Sequence, residues 1–477
     1  MIHLCDAILN RLTSHPADVV VEDNEACLSG RQLEAIVQDE TAALVAASVR
    51  PGEPVLLACS NQAADIAGFI AIWTKGAVVV PVHRRVTKAT LRRLYGATGA
   101  RITLNARPDL PTHLPQEMIS VQGEAPKHRP MLEDAAAVVF TSGSTGEPKG
   151  VVLGRNRLAA KLHSIDRELR FDPETRTLLV LQLTFIFGQW ISLLTLMKGG
   201  QLIMRDRFRP LDVLDDLDAR GITRFAAVPT MLRAMTQDLA GRPAYTGQVM
   251  SGGEILPGAI ARAIQLGWPK ARLFDLYGST ETSACDFIVK PDEFPSAQGS
   301  IGRPMLGVDY RLDPASGELE IRSPYRMLGY LDRPDLTAEV CRGDWFRTGD
   351  RAEERADGCV ALTGRLKDLI NRAGNKISPV EIERTIESHP DVQSAMATGI
   401  PDQTTGEAIH LFLVLADQAV LSPEAIRDWL AERLERFKLP DHIHLGNSLP
   451  VGATGKADRR AFREMVMASV KETRDRS

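Results

Sequence analysis

Ten residues, TSGSTGEPKG (141–150), put three glycines, four hydroxyl side chains and one lysine into a single short run. Small residues in succession let backbone N–H groups converge on an anion, and the hydroxyls add donors, so the chemistry on offer is phosphate binding. The common P-loop is a poor match. In that motif the lysine directly follows the second glycine and the next hydroxyl ligates Mg²⁺. Here Gly143 and Gly146 are three apart, Glu147 and Pro148 separate Gly146 from Lys149, and Gly150 stands where the hydroxyl belongs. Pro148 also has no N–H to give a phosphate oxygen. A polar turn between two strands fits the same residues when they are taken alone.

Four further clusters offer complementary chemistry. LFDLYGSTET (273–282) supplies Tyr277, whose ring suits stacking on a purine, Thr280 as a donor to phosphate, and Glu281 as an oxygen ligand for Mg²⁺. DWFRTGD (344–350) ends on Asp350, a carboxylate able to accept from two ribose hydroxyls. GRLKDLINRAGNKISP (364–379) offers Arg365 to ribose or phosphate, and LPVGATGKADRRAF (449–462) sets Lys456 in a Gly-rich turn. Singly, these read equally well as a strand exit, a turn aspartate, a surface arginine and a solvated lysine.

The elements that must carry these clusters alternate along the first 360 residues. Runs such as PVLLAC (54–59), AVVVPV (77–82), AAAVVF (135–140), RTLLVLQL (176–183), GQLIMR (200–205) and RFAAVP (224–229) are separated by amphipathic stretches. That alternation predicts mostly parallel sheets with helices on both faces, and ligands at the carboxyl ends of strands. From about residue 315, GELEIRSP (317–324), GDWFRTGD (343–350) and GCVALTGR (358–365) read as short antiparallel strands. Beyond residue 365 the texture is α+β. A helix is expected over 378–390, with Ser378 as N-cap, Pro379 at N1, Glu381 closing a capping box, and Ile382 and Ile386 buried. A second is expected over 424–437. The predicted fold is therefore α/β: an N-terminal domain (1–366) of layered sheets plus a β-subdomain, and a small mobile α+β C-terminal domain (367–477).

Bulk properties narrow the partners. The chain has 477 residues, 44% hydrophobic and 25% charged, with a net charge of −4, so no global field draws it to nucleic acid or anionic lipid. Six cysteines lack metal-ligand spacing and read as reduced thiols of a cytoplasmic protein. The N-terminal MIHLCDAILNRL reads as an amphipathic helix, and the apolar run 66–82 is broken by Lys75 and Gly76, which suits a buried helix feeding a strand better than a membrane span.

Together, TSGSTGEPKG, DLYGSTET, DWFRTGD, GRLKDLINRAGNKISPVEIE and LPVGATGKADR, in this order, resemble the adenylate-forming superfamily, the group of acyl-CoA synthetases, peptide-synthetase adenylation domains and beetle luciferases. VPTML (228–232), MSGGEILP (250–257) and MLGYLDRP (327–334) also match, and the likeness runs from about residue 138 to 462. It implies attack of a carboxylate on the α-phosphate of ATP–Mg²⁺, giving an acyl-adenylate and pyrophosphate. Thr141, Ser142, Gly143, Ser144, Thr145, Gly146 and Lys149 would hold the β- and γ-phosphates. Tyr277 would pack on adenine beside Gly252, Gly253, Glu254, Asp275, Gly278 and Ser279. Thr280 would meet the α-phosphate, Glu281 Mg²⁺, and Asp350 with Arg365 the ribose. Lys456 would bridge the substrate carboxylate and the α-phosphate.

The resemblance also implies a second half-reaction in which a thiol displaces AMP after the C-terminal domain turns about Lys367, bringing Gly374 to the pantetheine tunnel. Phe437 and Lys438 match the seat of the coenzyme A nucleotide, although Leu439 replaces a basic residue found in some ligases. Fifteen residues follow Phe462, too few for a carrier domain, so the acceptor is expected to be CoA or a separate carrier protein. The acid pocket would fall on Phe185, Gly188, Trp190, Ser251 and Gly278, with Met231 adding apolar wall and Phe187 packing the core. Phe185 stands where many fatty acyl-CoA synthetases carry histidine, and Ile186 where amino-acid-activating domains carry aspartate. An aryl or apolar acid is therefore expected, and an amino acid is not.

Overall fold

The computed structural model describes residues 5–84, 86–104, 119–121, 127–142, 148–402, 404–416, 419–451 and 457–474. The chain divides into two compact units, 1–309 with 321–346, and 310–320 with 347–477.

The first unit is built on two large sheets. In one, the strands Val19–Glu22, Gln201–Met204, Arg176–Leu179, Arg224–Ala227, Gln248–Gly252 and Arg272–Ser279 run parallel in that spatial order, and Ala284–Val289 closes back antiparallel. In the other, Pro54–Cys59 and Val78–His83 are parallel neighbours, and Ala135–Ser142 pairs antiparallel with Pro148–Gly154. The apolar run expected as a buried helix is one. Ala63–Thr74 is buried on nearly every side, as an all-round apolar helix must be, and the Trp73 indole N–H is satisfied by the Ala136 carbonyl at 2.8 Å. The amphipathic start is the helix Asp6–Ser14, with Ile8 and Leu12 buried. No helix among the described residues is long and apolar enough to cross a membrane.

The second unit contains a five-stranded sheet with the antiparallel hairpin Ile370–Arg372/Asn375–Ile377 at one edge and the long pair Val392–Asp402/Gly406–Leu415 beside it. Ile382 and Ile386 of the helix Pro379–Glu387 and Ile426 and Leu430 of the helix Pro423–Ala431 pack with Ile409 and Leu411. Phe462 and Val466 of the helix Arg459–Arg474 pack with Phe412 and Val414.

Two local expectations are corrected. Ser378 does precede its helix, but no capping box forms: its hydroxyl donates to the Thr363 carbonyl, tying the helix to the strand Val360–Arg365, and Glu381 is taken by Lys438 at 2.7 Å. The helix expected to reach residue 437 stops at Ala431. There the Arg433 guanidinium stacks on Trp429, 3.6 Å from the ring centroid, and donates to the Trp429 carbonyl, as Leu434 turns into the core.

Candidate active site

The described ends of the phosphate-type run belong to two paired antiparallel strands, Ala135–Ser142 and Pro148–Gly154. The first continues past Phe140 to Ser142, and the register Phe140↔Gly150, Thr141↔Lys149, Ser142↔Pro148 clamps the two ends together. Pro148 costs the pairing nothing at this end of the ladder, where bonding stops. Gly143, Ser144, Thr145 and Gly146 lie outside the described residues, as does the side chain of Ser142. Lys149 is described: its ammonium stands 5.2 Å from the centroid of the Tyr330 ring, a cation–π contact that aims it along one side of the hairpin.

Tyr330 links that lysine to the proposed metal carboxylate. Its hydroxyl donates to Glu281 Oε1 at 2.9 Å, and the Met327 N–H donates to the Glu281 carbonyl at 2.6 Å. Burial and the neighbouring Glu281 raise the tyrosine's pKa, so it stays a donor. Glu281 sits in the single 3₁₀ turn Thr280–Thr282, between the strands Arg272–Ser279 and Ala284–Val289. Gly278 is required there, because a Cβ would overlap the Ala284 carbonyl oxygen. A Mg²⁺ arriving with ATP needs only one or two protein carboxylates, the phosphates and water supplying the rest, and Glu281 fits that demand. In the sequence Tyr330 is marked only as an aromatic hydroxyl within MLGYLDRP, two residues before an Asp-Arg pair.

Tyr330→Phe keeps the ring under Lys149 and removes only the bond to Glu281. The expected result is an unchanged fold and a roughly threefold to tenfold rise in the Mg²⁺ concentration for half-maximal adenylate formation, the scale of a net hydrogen bond of about 1 kcal/mol. Mg²⁺ titration of pyrophosphate release measures it, and an unmoved midpoint contradicts the link.

Adjacent parallel strands bring further residues expected at the nucleotide together. The register Ser251↔Asp275 and Gly252↔Leu276 sets Gly252, Gly253 and Glu254 beside Tyr277, Gly278 and Ser279 at the carboxyl ends, where such sheets collect ligands. Phe287 meets the Tyr277 ring edge-on at 5.9 Å and fixes its tilt. Burial pushes the Asp275 carboxyl up to about 7. Asp275 Oδ1 and Ser251 Oγ are both shut off from solvent with no well-directed partner among the described residues. The Ser251 hydroxyl and the Leu276 and Leu256 backbone still lean on this carboxyl, so a polar group stands ready at the strand end.

On the acid side, Phe185 precedes the helix Ile186–Met197 and is 40% exposed, whereas Trp190 is 1% exposed. Trp190 lies behind Phe187, the rings stacked 5.5 Å apart at 13°, and Phe171 closes its far side at 6.5 Å. Phe187 also reaches the Gly252 backbone, where a Cβ would come within 3.0 Å of its ring. Gly188 leaves room for the Gln182 carbonyl against the first helical turn.

The second unit holds the other sequence-derived residues. Asp350 and Arg365 face each other across Trp345–Glu354 and Val360–Arg365, with Nε to Oδ1 at 2.9 Å; the aspartate is 7% exposed. Lys367 lies in the 3₁₀ turn Leu366–Asp368 that follows. Gly374 and Ala373 form the two-residue hairpin turn after Arg372, both with positive φ, +83° and +47°. Arg372 bonds the carbonyls of Phe437 (3.0 Å) and Leu439 (2.9 Å) and the Asp441 carboxylate (2.5 Å), so the Gly374 turn and the 437–439 segment are neighbours. Lys438 is engaged by Glu381 and Glu435, and Leu439 packs on the core, which explains an apolar residue there. Lys456 lies outside the described residues; Val451 and Ala457 on either side of its loop pair across it.

A family model described as AMP-binding enzyme matches residues 9–331, and the AMP-binding enzyme C-terminal domain matches 381–456. The chain belongs to the AMP-binding enzyme family. A feruloyl-CoA synthase from Amycolatopsis is 28% identical over 94% of this chain and 96% of that protein. A sulfoacetate–CoA ligase from Cupriavidus necator is 33% identical over 70% of this chain and 68% of that protein. The o-succinylbenzoate CoA synthetase of Bacillus subtilis, solved with its acyl-adenylate intermediate, superposes with a TM-score of 0.83 at 23% identity, over 96% of this chain and 98% of that one, and supports the fold. The chain is thus an AMP-binding enzyme, and both of these relatives are named as enzymes that form CoA thioesters.

Proposed function

We propose that this ligase activates an aryl or similarly apolar carboxylic acid and hands the acyl group to CoA. The observation that carries the reading is the chain Lys149–Tyr330–Glu281, which couples the phosphate hairpin to a carboxylate suited to Mg²⁺. In this reading Thr141, Ser142, Gly143, Ser144, Thr145, Gly146 and Lys149 hold the β- and γ-phosphates of ATP, and Glu281 holds the metal that travels with them. Thr280 donates to the α-phosphate. Tyr277 stacks on adenine, with Asp275 and the Gly252–Glu254 backbone reading its edge. Asp350, oriented by Arg365, accepts from the ribose hydroxyls. Lys456 belongs to the portion from 367 onward that alternates between the two half-reactions about Lys367.

The aryl preference rests on Phe185 at the surface and on the Phe187–Trp190 stack, which presents the Phe187 ring as the inner wall and keeps Trp190 as its backing. With Ile186 buried at the helix start, this stretch offers no carboxylate to an ammonium group. A second reading, transfer to a separate carrier protein, is favoured by Lys438 being committed to two carboxylates and by Leu439 being packed, which leaves that segment short of cations for a nucleotide phosphate.

Pyrophosphate release across benzoate-type, cinnamate-type, short-chain and medium-chain acids, with and without CoA, tests both. The expected result is release with aryl acids and acyl-CoA formed when CoA is present. Release without any CoA thioester moves the acceptor to a carrier protein, and preference for short aliphatic acids overturns the aryl assignment.

A further inference from the structure

Beneath the turn that carries Thr280 and Glu281 lies a fully buried ion pair to which no role has been given. Lys161, on the helix Arg155–Leu169, is 0% exposed, and its Nζ is 3.0 Å from Oδ1 of Asp286, also 0% exposed. The Tyr325 ring, 5.1 Å from the ammonium, covers the lysine. The other carboxylate oxygen, Oδ2 of Asp286, accepts from the Thr282 hydroxyl. Thr282 Oγ1 in turn receives the Ser279 N–H at 3.3 Å and lies 3.1 Å from Ser279 Oγ, which closes the turn from its other end.

The turn needs this support. It exits through Ser283 at φ +62° and Ala284 at φ +103°, two side-chain-bearing residues in a region that favours glycine. Ser283 is pinned by a 2.6 Å hydrogen bond to the Tyr325 carbonyl, so the residue that covers Lys161 also holds the end of the turn. Burying a charge pair gains little stability over apolar packing of the same volume. A charge pair does fix direction. With Lys161 on Oδ1, Asp286 presents Oδ2 to Thr282.

We propose that Lys161 and Asp286 are positioning residues that act through the Thr282 hydroxyl to set where Thr280 and Glu281 stand, and so govern adenylate formation and not thiol transfer. This rests on the reading that Thr280 and Glu281 serve the adenylation step. Lys161 is recognisable in the sequence only as a lysine on an apolar helical stripe, between Leu158, Leu162 and Ile165.

Thr282→Val, near-isosteric and without the hydroxyl, is compared with Thr282→Ser, with Lys161→Met/Asp286→Leu, and with Glu281→Ala. Each is assayed for pyrophosphate release, for CoA thioester formation from supplied acyl-adenylate, and for thermal unfolding. Thr282→Val and the double variant are expected to lose adenylation about 10- to 100-fold, the scale of a displaced reacting group. Thioester formation should be retained and melting should shift little, while Thr282→Ser stays near the parent. The double variant, neutral and apolar throughout, supplies the readout should Thr282→Val fold poorly. Full adenylation by both variants, or equal loss of both half-reactions, overturns the proposal while Glu281→Ala still abolishes adenylation. Full adenylation by Glu281→Ala itself overturns the reading beneath it.

Discussion

Lys456→Ala is expected to cut adenylate formation by about 10²- to 10³-fold, the scale of losing one preorganised electrostatic group, while thioester formation from supplied acyl-adenylate stays within about twofold. The first half-reaction drives a carboxylate onto a phosphate that is itself anionic. At a separation of about 4 Å and an effective dielectric near 20, two unit charges repel by about 4 kcal/mol, and a lysine between them offsets most of that. No such encounter occurs in the second half-reaction, where a thiol attacks an acyl carbonyl and AMP leaves. Among the described residues of the second unit, the flanks of the lysine's loop are firmly anchored. Val451 pairs with Ala457, and Arg459 bonds Glu383 at 2.5 Å, the Ala397 carbonyl at 3.0 Å and Asp368 at 3.5 Å. Arg459, three residues beyond Lys456, is thus tied to Asp368, next to the proposed hinge residue Lys367. Pyrophosphate exchange reads the first step and single-turnover acyl transfer the second. Equal loss in both would remove Lys456 from the role.

The sequence made the strands and the site clusters legible because each is locally encoded. PVLLAC is the strand Pro54–Cys59, and DLYGSTE falls at the end of Arg272–Ser279 and in the turn after it, since β-branched runs followed by small polar residues say where a parallel strand stops. What it hid depends on tertiary partners. Ser378 has the pattern of a capping box, yet its hydroxyl goes to Thr363, because a strand brought alongside offers a competing acceptor. The Phe187–Trp190 stack itself, with Trp190 buried beneath the ring, depends on packing that no local pattern states. Tyr330 and Lys161 reach the Glu281 turn from 49 residues downstream and, through Asp286, from 125 residues upstream, separations at which no local pattern speaks.

Gly374→Leu is expected to reduce thiol transfer about tenfold or more while adenylate formation stays near the parent, with Gly374→Ala separating the two causes. Position 374 holds φ at +83° as the second residue of a two-residue hairpin turn, so any side chain there incurs backbone strain of about 1 kcal/mol. A Cβ meets nothing within 4 Å, so alanine adds strain without a clash. The turn can absorb that strain because its base is held on both sides: Arg372 by Phe437, Leu439 and Asp441, and Asn371 by Glu407 at 2.7 Å. Gly374→Ala should therefore cost a little stability and little activity. Leucine adds bulk at the tip of a rigid turn that cannot swing aside, which matters only if something thin must pass that tip. Adenylation does not involve the thiol, so steric obstruction falls on the second half-reaction alone. If alanine and leucine lose thioester formation equally, strain is the cause and the turn lines no thiol path. If leucine alone loses it, the glycine is there for the passage of the pantetheine arm.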